Sequence, residues 1–174
     1  MNSSLNTLAV FSQSVSAYKK HFTASAVIIE QSHVLLVHHK RIGAWLPPGG
    51  HIEENELPHQ TAIREAKEET GLCLTIVSSD LPQTPNDEAF FLPNPLCTHA
   101  VKATEAKGTF YHIDVSYLCK LDKLSNSQQL PEVVSNNEVH NVRWVQLADL
   151  KKIVLANNVI EIIDMAKSKL KLVN

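Results

Sequence analysis

The chain has 174 residues, 44% apolar and 20% charged, the composition of a globular protein with enough chain for one filled core. Sixteen Lys and Arg against 18 Asp and Glu leave a formal charge of −2. These values exclude collagen-like and wholly disordered chains, and they lack the cation excess of a nucleic-acid binder.

Cys73, Cys97 and Cys119 are widely spaced and form no CxxC pair, so neither a zinc ribbon nor a thioredoxin-type motif is present. Reduced, packed thiols are expected. The opening segment MNSSLNTLAVFSQSVSAYKK lacks the cationic start and apolar run of a signal peptide. No stretch approaches the roughly 18 apolar residues that span a bilayer. The expected location is cytoplasmic, without membrane attachment.

Leu5, Leu8, Phe11, Val15 and Tyr18 recur at helical steps and predict an amphipathic helix over 4–19, within a helical extension of residues 1–20. HFTASAVIIE (21–30) and HVLLVHHK (33–40) read as a hairpin about Gln31-Ser32. The breakers from Gly43 to Gly50 predict loop. Pro58 and Gly71 bracket a helix over 58–70, and LCLTIVSS (72–79) reads as a strand. Pro82, Pro85, Pro93 and Pro95 surround Phe90-Phe91 in a long surface loop over 80–97. TFYHIDVSYLCKL (109–121) alternates as a strand does, and Asn141–Gln146 forms another around Trp144. Val159, Ile163, Ala166 and Leu170 mark a closing amphipathic helix over 159–172. With no repeat and no linker, the pattern predicts a single α/β layered domain over 1–174.

The chemistry concentrates in GGHIEENELPHQTAIREAKEETGL, residues 49–72, where six glutamates fall between positions 53 and 69. At about 100° per residue, Ala62, Ala66, Thr70 and Ile63 share the face that should pack on a sheet. Glu65, Glu68 and Glu69 lie beside that face rather than opposite it. Carboxylates at these spacings repel one another unless a cation sits among them. Oxygen donors in such a group suit Mg²⁺. A solvated acidic face is the alternative.

Spacing favours the metal. Gly50, Glu56, Arg64-Glu65, Glu68-Glu69 and Gly71-Leu72 resemble, without a gap, the Nudix box Gly-x5-Glu-x7-Arg-Glu-U-x-Glu-Glu-x-Gly-U, where U is bulky and aliphatic. Ala66 is smaller than usual at its U position. The preceding hairpin, the Trp-Leu-Pro-rich lead and a Glu138-x5-Trp144 strand extend the likeness over residues 21–150.

The resemblance implies an α/β/α sandwich with a mixed β-sheet and amphipathic helices at both ends. It implies a hydrolase that cleaves the diphosphate linkage of a nucleoside diphosphate derivative or similar small metabolite, using Mg²⁺ or Mn²⁺. Glu65, Glu68, Glu69 and the Gly49 carbonyl would hold metal, and Arg64 would orient Glu56. Glu53 would lie at the edge of this cluster. Glu65 or Glu138 would act as general base, with Glu132 a weaker competitor. The implied partner is a small anionic diphosphate, with no strong nucleic-acid signature; a monomer or homodimer is expected. A non-catalytic ligand-sensing Nudix domain and an isopentenyl-diphosphate-type isomerase are the alternatives. The isomerase calls for a cysteine setting that this chain lacks.

Four further residues are candidates for substrate contact. His38 and Arg41 belong to the basic run His38-His39-Lys40-Arg41, which could grip phosphate. Phe90, beside Phe91, could stack on a base, and His112 shares a strand face with Asp114. Trp45 and Trp144 read as core.

Overall fold

The computed structural model of the chain describes residues 17–78, 81–82, 88–105, 108–122, 130–134 and 139–173. In chain order its elements are β1 (Lys19–Glu30), β2 (His33–His39), β3 (Ala44–Leu46), β4 (Gly49–His51), α1 (Pro58–Thr70), β5 (Leu74–Ile76), β6 (Cys97–Glu105), β7 (Gly108–Leu121), β8 (Val139–Gln146), a 3-10 helix (Leu147–Lys152) and α2 (Val159–Val173).

β1 and β7 run parallel at the centre, from the Lys19–Phe110 pair to the Ile28–Cys119 pair. The outer edge of β7 is covered antiparallel by β6 and then by β5. The outer edge of β1 pairs with β4 at Thr23–Ser25 and with β2 at Ile29–Glu30. β2 in turn pairs with β3 and β8. The sheet is therefore mixed.

Side chains alternate across β1 and β7, and both faces are buried. Ala24, Ala26, Ile28, Tyr117, Cys119 and Leu121 pack with Ala62 and Ala66 of α1. Val27 and Leu118 point the other way, against Ile162 and Ala166 of α2. In β2, Leu35 and Val37 join the α1 side, while Val34 and Leu36 join a cluster containing Trp45, Val159 and Ile163. One helix on each face gives the layered α/β/α arrangement.

The hairpin turns at Gln31 and Ser32, with φ of 45° and 63°. Helix α1 starts at Pro58, which has no N–H to leave unpaired. The Gln60 side chain accepts the Leu57 N–H at 2.9 Å. Gly71, at φ 75°, ends the helix by donating its N–H to the Lys67 carbonyl at 2.8 Å.

Several expectations need correction. Residues 1–16 of the anticipated helical extension, and with them most of the helix expected over 4–19, lie outside the described residues, and Lys19 and Lys20 belong to β1. Their backbone pairs with Phe110 and Tyr111, which holds them in strand geometry. The segment 43–50 contains β3 and β4; its breakers limit each to three residues without preventing pairing. Of the strand expected over 72–79, the described residues 72–78 form β-structure only at Leu74–Ile76. β6 went unread because CTHAVKATE is poor in strong strand formers and is held by backbone pairing with β7. Within α1, Thr61 is fully buried, whereas Ile63 stays half-buried at the edge of the packed stripe.

Candidate active site

The buried stripe of α1 contains Thr61, Ala62, Glu65, Ala66, Glu69 and Thr70, so two carboxylates lie inside it. Glu65 is 9% exposed and Glu69 4%. Burying ionised carboxylates is costly unless they are hydrogen-bonded or neutralised. Arg64 supplies part of the compensation. Its Nη1 donates to Glu65 at 2.9 Å and to the more exposed Glu68 at 3.2 Å. Glu69 accepts the Gly49 N–H at 3.0 Å. The guanidinium thus stands between Glu65 and Glu68, while Glu69 is anchored to β4.

The other side of Arg64 grips Glu56 in a two-pronged pair, Nε to Oε1 at 2.6 Å and Nη2 to Oε2 at 2.8 Å. Thr61 Oγ1 also donates to Glu56, at 2.8 Å. These bonds, that from Arg64 foremost, bring the Glu56 carboxyl down from its ordinary 4.5 to about 2. In return the pair raises the Arg64 pKa. Nη2 further donates to the His51 carbonyl at 3.4 Å, tying α1 to β4. The exposed Glu53 is linked to this group by its backbone N–H, 3.5 Å from Glu56.

β4 brings the glutamates to the sheet. A Cβ at Gly50 would overlap the Glu65 carboxylate. At Gly49 it would meet the Ala24 carbonyl at 2.5 Å and Ser25 Cα at 2.7 Å. Both glycines are therefore required by close approach, one towards α1 and the other towards β1. Glutamate oxygens and a backbone carbonyl are hard donors, fitting Mg²⁺ or Mn²⁺ rather than a soft metal. Gly50 keeps open the space into which Glu65 projects.

On the opposite face, a cleft of about 580 Å³ lies between the sheet and the start of α2. Its floor is polar. Asp114 accepts hydrogen bonds from Thr23 at 2.9 Å, Ser25 at 2.7 Å and Ser116 at 2.7 Å, and it pairs with His99 Nε2 at 3.3 Å. Burial pushes this carboxyl up, but the bonds from His99, Ser116, Ser25 and Thr23 outweigh it and hold the group below its ordinary range. His99 Nδ1 is buried and makes no hydrogen bond. Gly49, Gly50 and His51 line this cleft too, so β4 is the seam between the glutamates and the cavity.

Among the sequence-derived candidates, His112 and Arg41 line the cleft. His38 does not; its ring packs edge-on against Trp45 at 5.1 Å and lies 5.7 Å from His140. Strand alternation puts His39 on the wall instead. Burial first, then Arg41 and His38, lowers the His39 pKa. Phe90 is not a wall residue and is 63% exposed, beside Phe91 at 56%. Gly71 terminates the helix. Glu132 is exposed, and Glu138 lies outside the described residues. The Asp114–His99 pair and His51 went unnoticed as site residues. The available signal was a polar phase, Thr23 and Ser25, inside an otherwise apolar strand.

A family model for the NUDIX domain matches residues 19–165. An 8-oxo-dGTP diphosphatase from Proteus vulgaris is 32% identical over 85 residues, covering 42% of this chain and 76% of its own. The chain spans 61% of the length of Mycobacterium tuberculosis relatives that it matches at 25% identity over 154 residues. Among solved structures, a NUDIX-family hydrolase from Clostridium perfringens superposes with a TM-score of 0.60 at 29% identity, covering 88% of this chain and 98% of that one. The NUDIX domain of Shewanella oneidensis NrtR, complexed with ADP ribose, gives 0.55 at 25% identity, covering 89% and 92%. The model match over most of the chain agrees with the glycine-seated glutamates and the two-helix sandwich, and the chain belongs to the Nudix family.

Proposed function

We propose that the chain is a Mg²⁺-dependent pyrophosphohydrolase, with Mn²⁺ able to substitute, acting on a nucleoside diphosphate derivative or a similar small phosphorylated metabolite. The observation that carries this reading is the β4–α1 seam. There Arg64 positions Glu65 and Glu68, Gly49 holds Glu69, and Gly50 leaves room above Glu65.

Glu65, Glu68, Glu69 and the Gly49 carbonyl would hold the metal. When bound, such an ion neutralises diphosphate oxygens and lowers the pKa of a coordinated water. Arg64 fixes the glutamates through its bidentate grip on Glu56 and keeps its own proton throughout, since its pKa is raised. Glu65, or Glu138 from the segment before β8, receives the proton of the attacking water. The new bond joins water oxygen to phosphorus, and the bridging P–O bond breaks to release two phosphate-bearing products. The cleft beyond β4 takes the organic part of the substrate. Asp114, held ionised, and His99 line that cleft and supply polar groups for its recognition. The relative named for 8-oxo-dGTP and the neighbour holding ADP ribose support a nucleotide-derived substrate.

The test is a substrate screen of purified protein with Mg²⁺ and with Mn²⁺. The panel comprises dNTPs, 8-oxo-dGTP, ADP-ribose, dinucleoside polyphosphates and nucleotide sugars. Turnover of at least one compound, abolished by Glu69→Gln, is the expected result. Ligand binding without turnover in both forms would replace the hydrolase reading with that of a ligand-sensing domain.

A further inference from the structure

We propose that His21, His51 and His112 form a second metal site, for a borderline transition ion such as Zn²⁺, at the rim of the cleft. The register of three strands builds it. β1 and β7 place His21 directly opposite His112, and β1 and β4 place Thr23 opposite His51. Residues 21 and 23 of β1 share a face by the two-residue period, so all three imidazoles project from the same side of the sheet. One ring nitrogen from each lies within 4.8 Å of the other two.

The donor set decides the ion. Imidazole nitrogens favour Zn²⁺, Co²⁺, Ni²⁺ and Cu²⁺, whereas Mg²⁺ takes oxygen. Tetrahedral Zn²⁺ with Zn–N bonds of about 2.0–2.1 Å sets nitrogens about 3.4 Å apart, so small ring rotations close the site. Phe110 stacks on His21 with ring centroids 4.5 Å apart and sits 5.1 Å from His112, giving one apolar wall. His51 and His112 line the cleft on the other side. Three protein ligands leave a fourth position there for water or an anionic oxygen. His51 follows Gly50, and its carbonyl accepts from Arg64. An ion on this ring would therefore brace β4, the strand that seats the box glutamates.

The site is independent of the hydrolase reading, and its test reads metal directly. Chelator-treated full-length protein is titrated calorimetrically with Zn²⁺ under saturating Mg²⁺, which occupies the carboxylates. Wild type and Glu69→Gln should each bind one Zn²⁺ with affinities within about threefold. His21→Ala and His51→Ala should weaken it by about 100-fold or more, because a direct ligand matters at least as much as the partners behind it. Unchanged binding in both histidine variants overturns the site, as does loss in Glu69→Gln or Cys73→Ser instead. Nitrogen NMR of the wild-type imidazoles provides a reading that needs no variant to fold. Zn²⁺ should shift the resonances of all three rings, and no shift at these rings overturns the assignment.

Discussion

The two faces of the central sheet carry opposite kinds of polarity. On the α1 face, the site's polar groups come from one helix, one short strand and the loop between them, and their chemistry is carboxylate against guanidinium. On the α2 face, the cleft's polar floor is assembled from β1, β4, β6 and β7, and its chemistry is one carboxylate among hydroxyls and imidazoles. The first arrangement resides in about twenty consecutive residues. The second exists only after four strands have paired. Charge handling differs accordingly: Glu65 is offset by Arg64 and Glu69 by the Gly49 N–H, whereas Asp114 is satisfied by neutral donors and His99.

Substitutions that separate chemistry from recognition test this contrast most strongly. Glu65→Gln or Glu69→Gln should lower kcat by about 10²–10⁴, the span of a lost general base or charge stabiliser, with little change in the fold by circular dichroism. Retained turnover in either variant would remove the α1 face from the chemistry. Gly50→Ala forces a methyl into the Glu65 carboxylate. It should destabilise the protein by about 1–3 kcal/mol in urea titration and weaken Mg²⁺ binding as well. A neutral Gly50→Ala would show that the close approach of β4 is dispensable.

Asp114→Asn leaves the cleft's shape but replaces an acceptor-only group with one carrying donors, so some of its four partners lose their bonds. A loss of about 1–3 kcal/mol is expected, together with a rise in KM that exceeds any fall in kcat. A pure kcat effect would instead assign Asp114 to the chemistry.

Acid stability offers a smaller and more specific reading. The Glu56 carboxyl is held at about 2 against an ordinary 4.5, so its contribution is present above about 4.5 and fades as pH falls towards 2. Wild-type Tm should fall through that window, and Glu56→Gln should flatten the fall while starting from a lower Tm at neutral pH. The smallest effect is expected outside both faces. Phe90→Ser should leave kcat, KM and Tm nearly unchanged, because the ring is exposed and absent from the cleft wall.

Some structure was legible because its causes are local. Pro58 and Gly71 bracket α1 as expected, since one lacks an N–H and the other accepts a positive φ. The hairpin at Gln31-Ser32 and the alternation of β7 followed from equally short-range rules. β3, β4 and β6 did not, because their strand geometry comes from backbone pairing with β2, β1 and β7 rather than from their own residues. His38 illustrates the same limit. The run His38-His39-Lys40-Arg41 shows that cations gather there, but only the β2 register selects His39 for the cleft wall and turns His38 onto Trp45.

By itself, the sequence determined the glutamate-bearing helix, its endpoints and the two glycines before it. A fixed spacing along one helix already specifies which side chains share a face, and a glycine's missing Cβ is a property of the residue alone. Only the tertiary structure decided what stands across β4. His21, His51 and His112, or Thr23, Ser25, His99 and Asp114, are scattered over some ninety residues and become neighbours through strand register. Register is set by burying both faces of the sheet at once, a condition that no single segment of the chain contains.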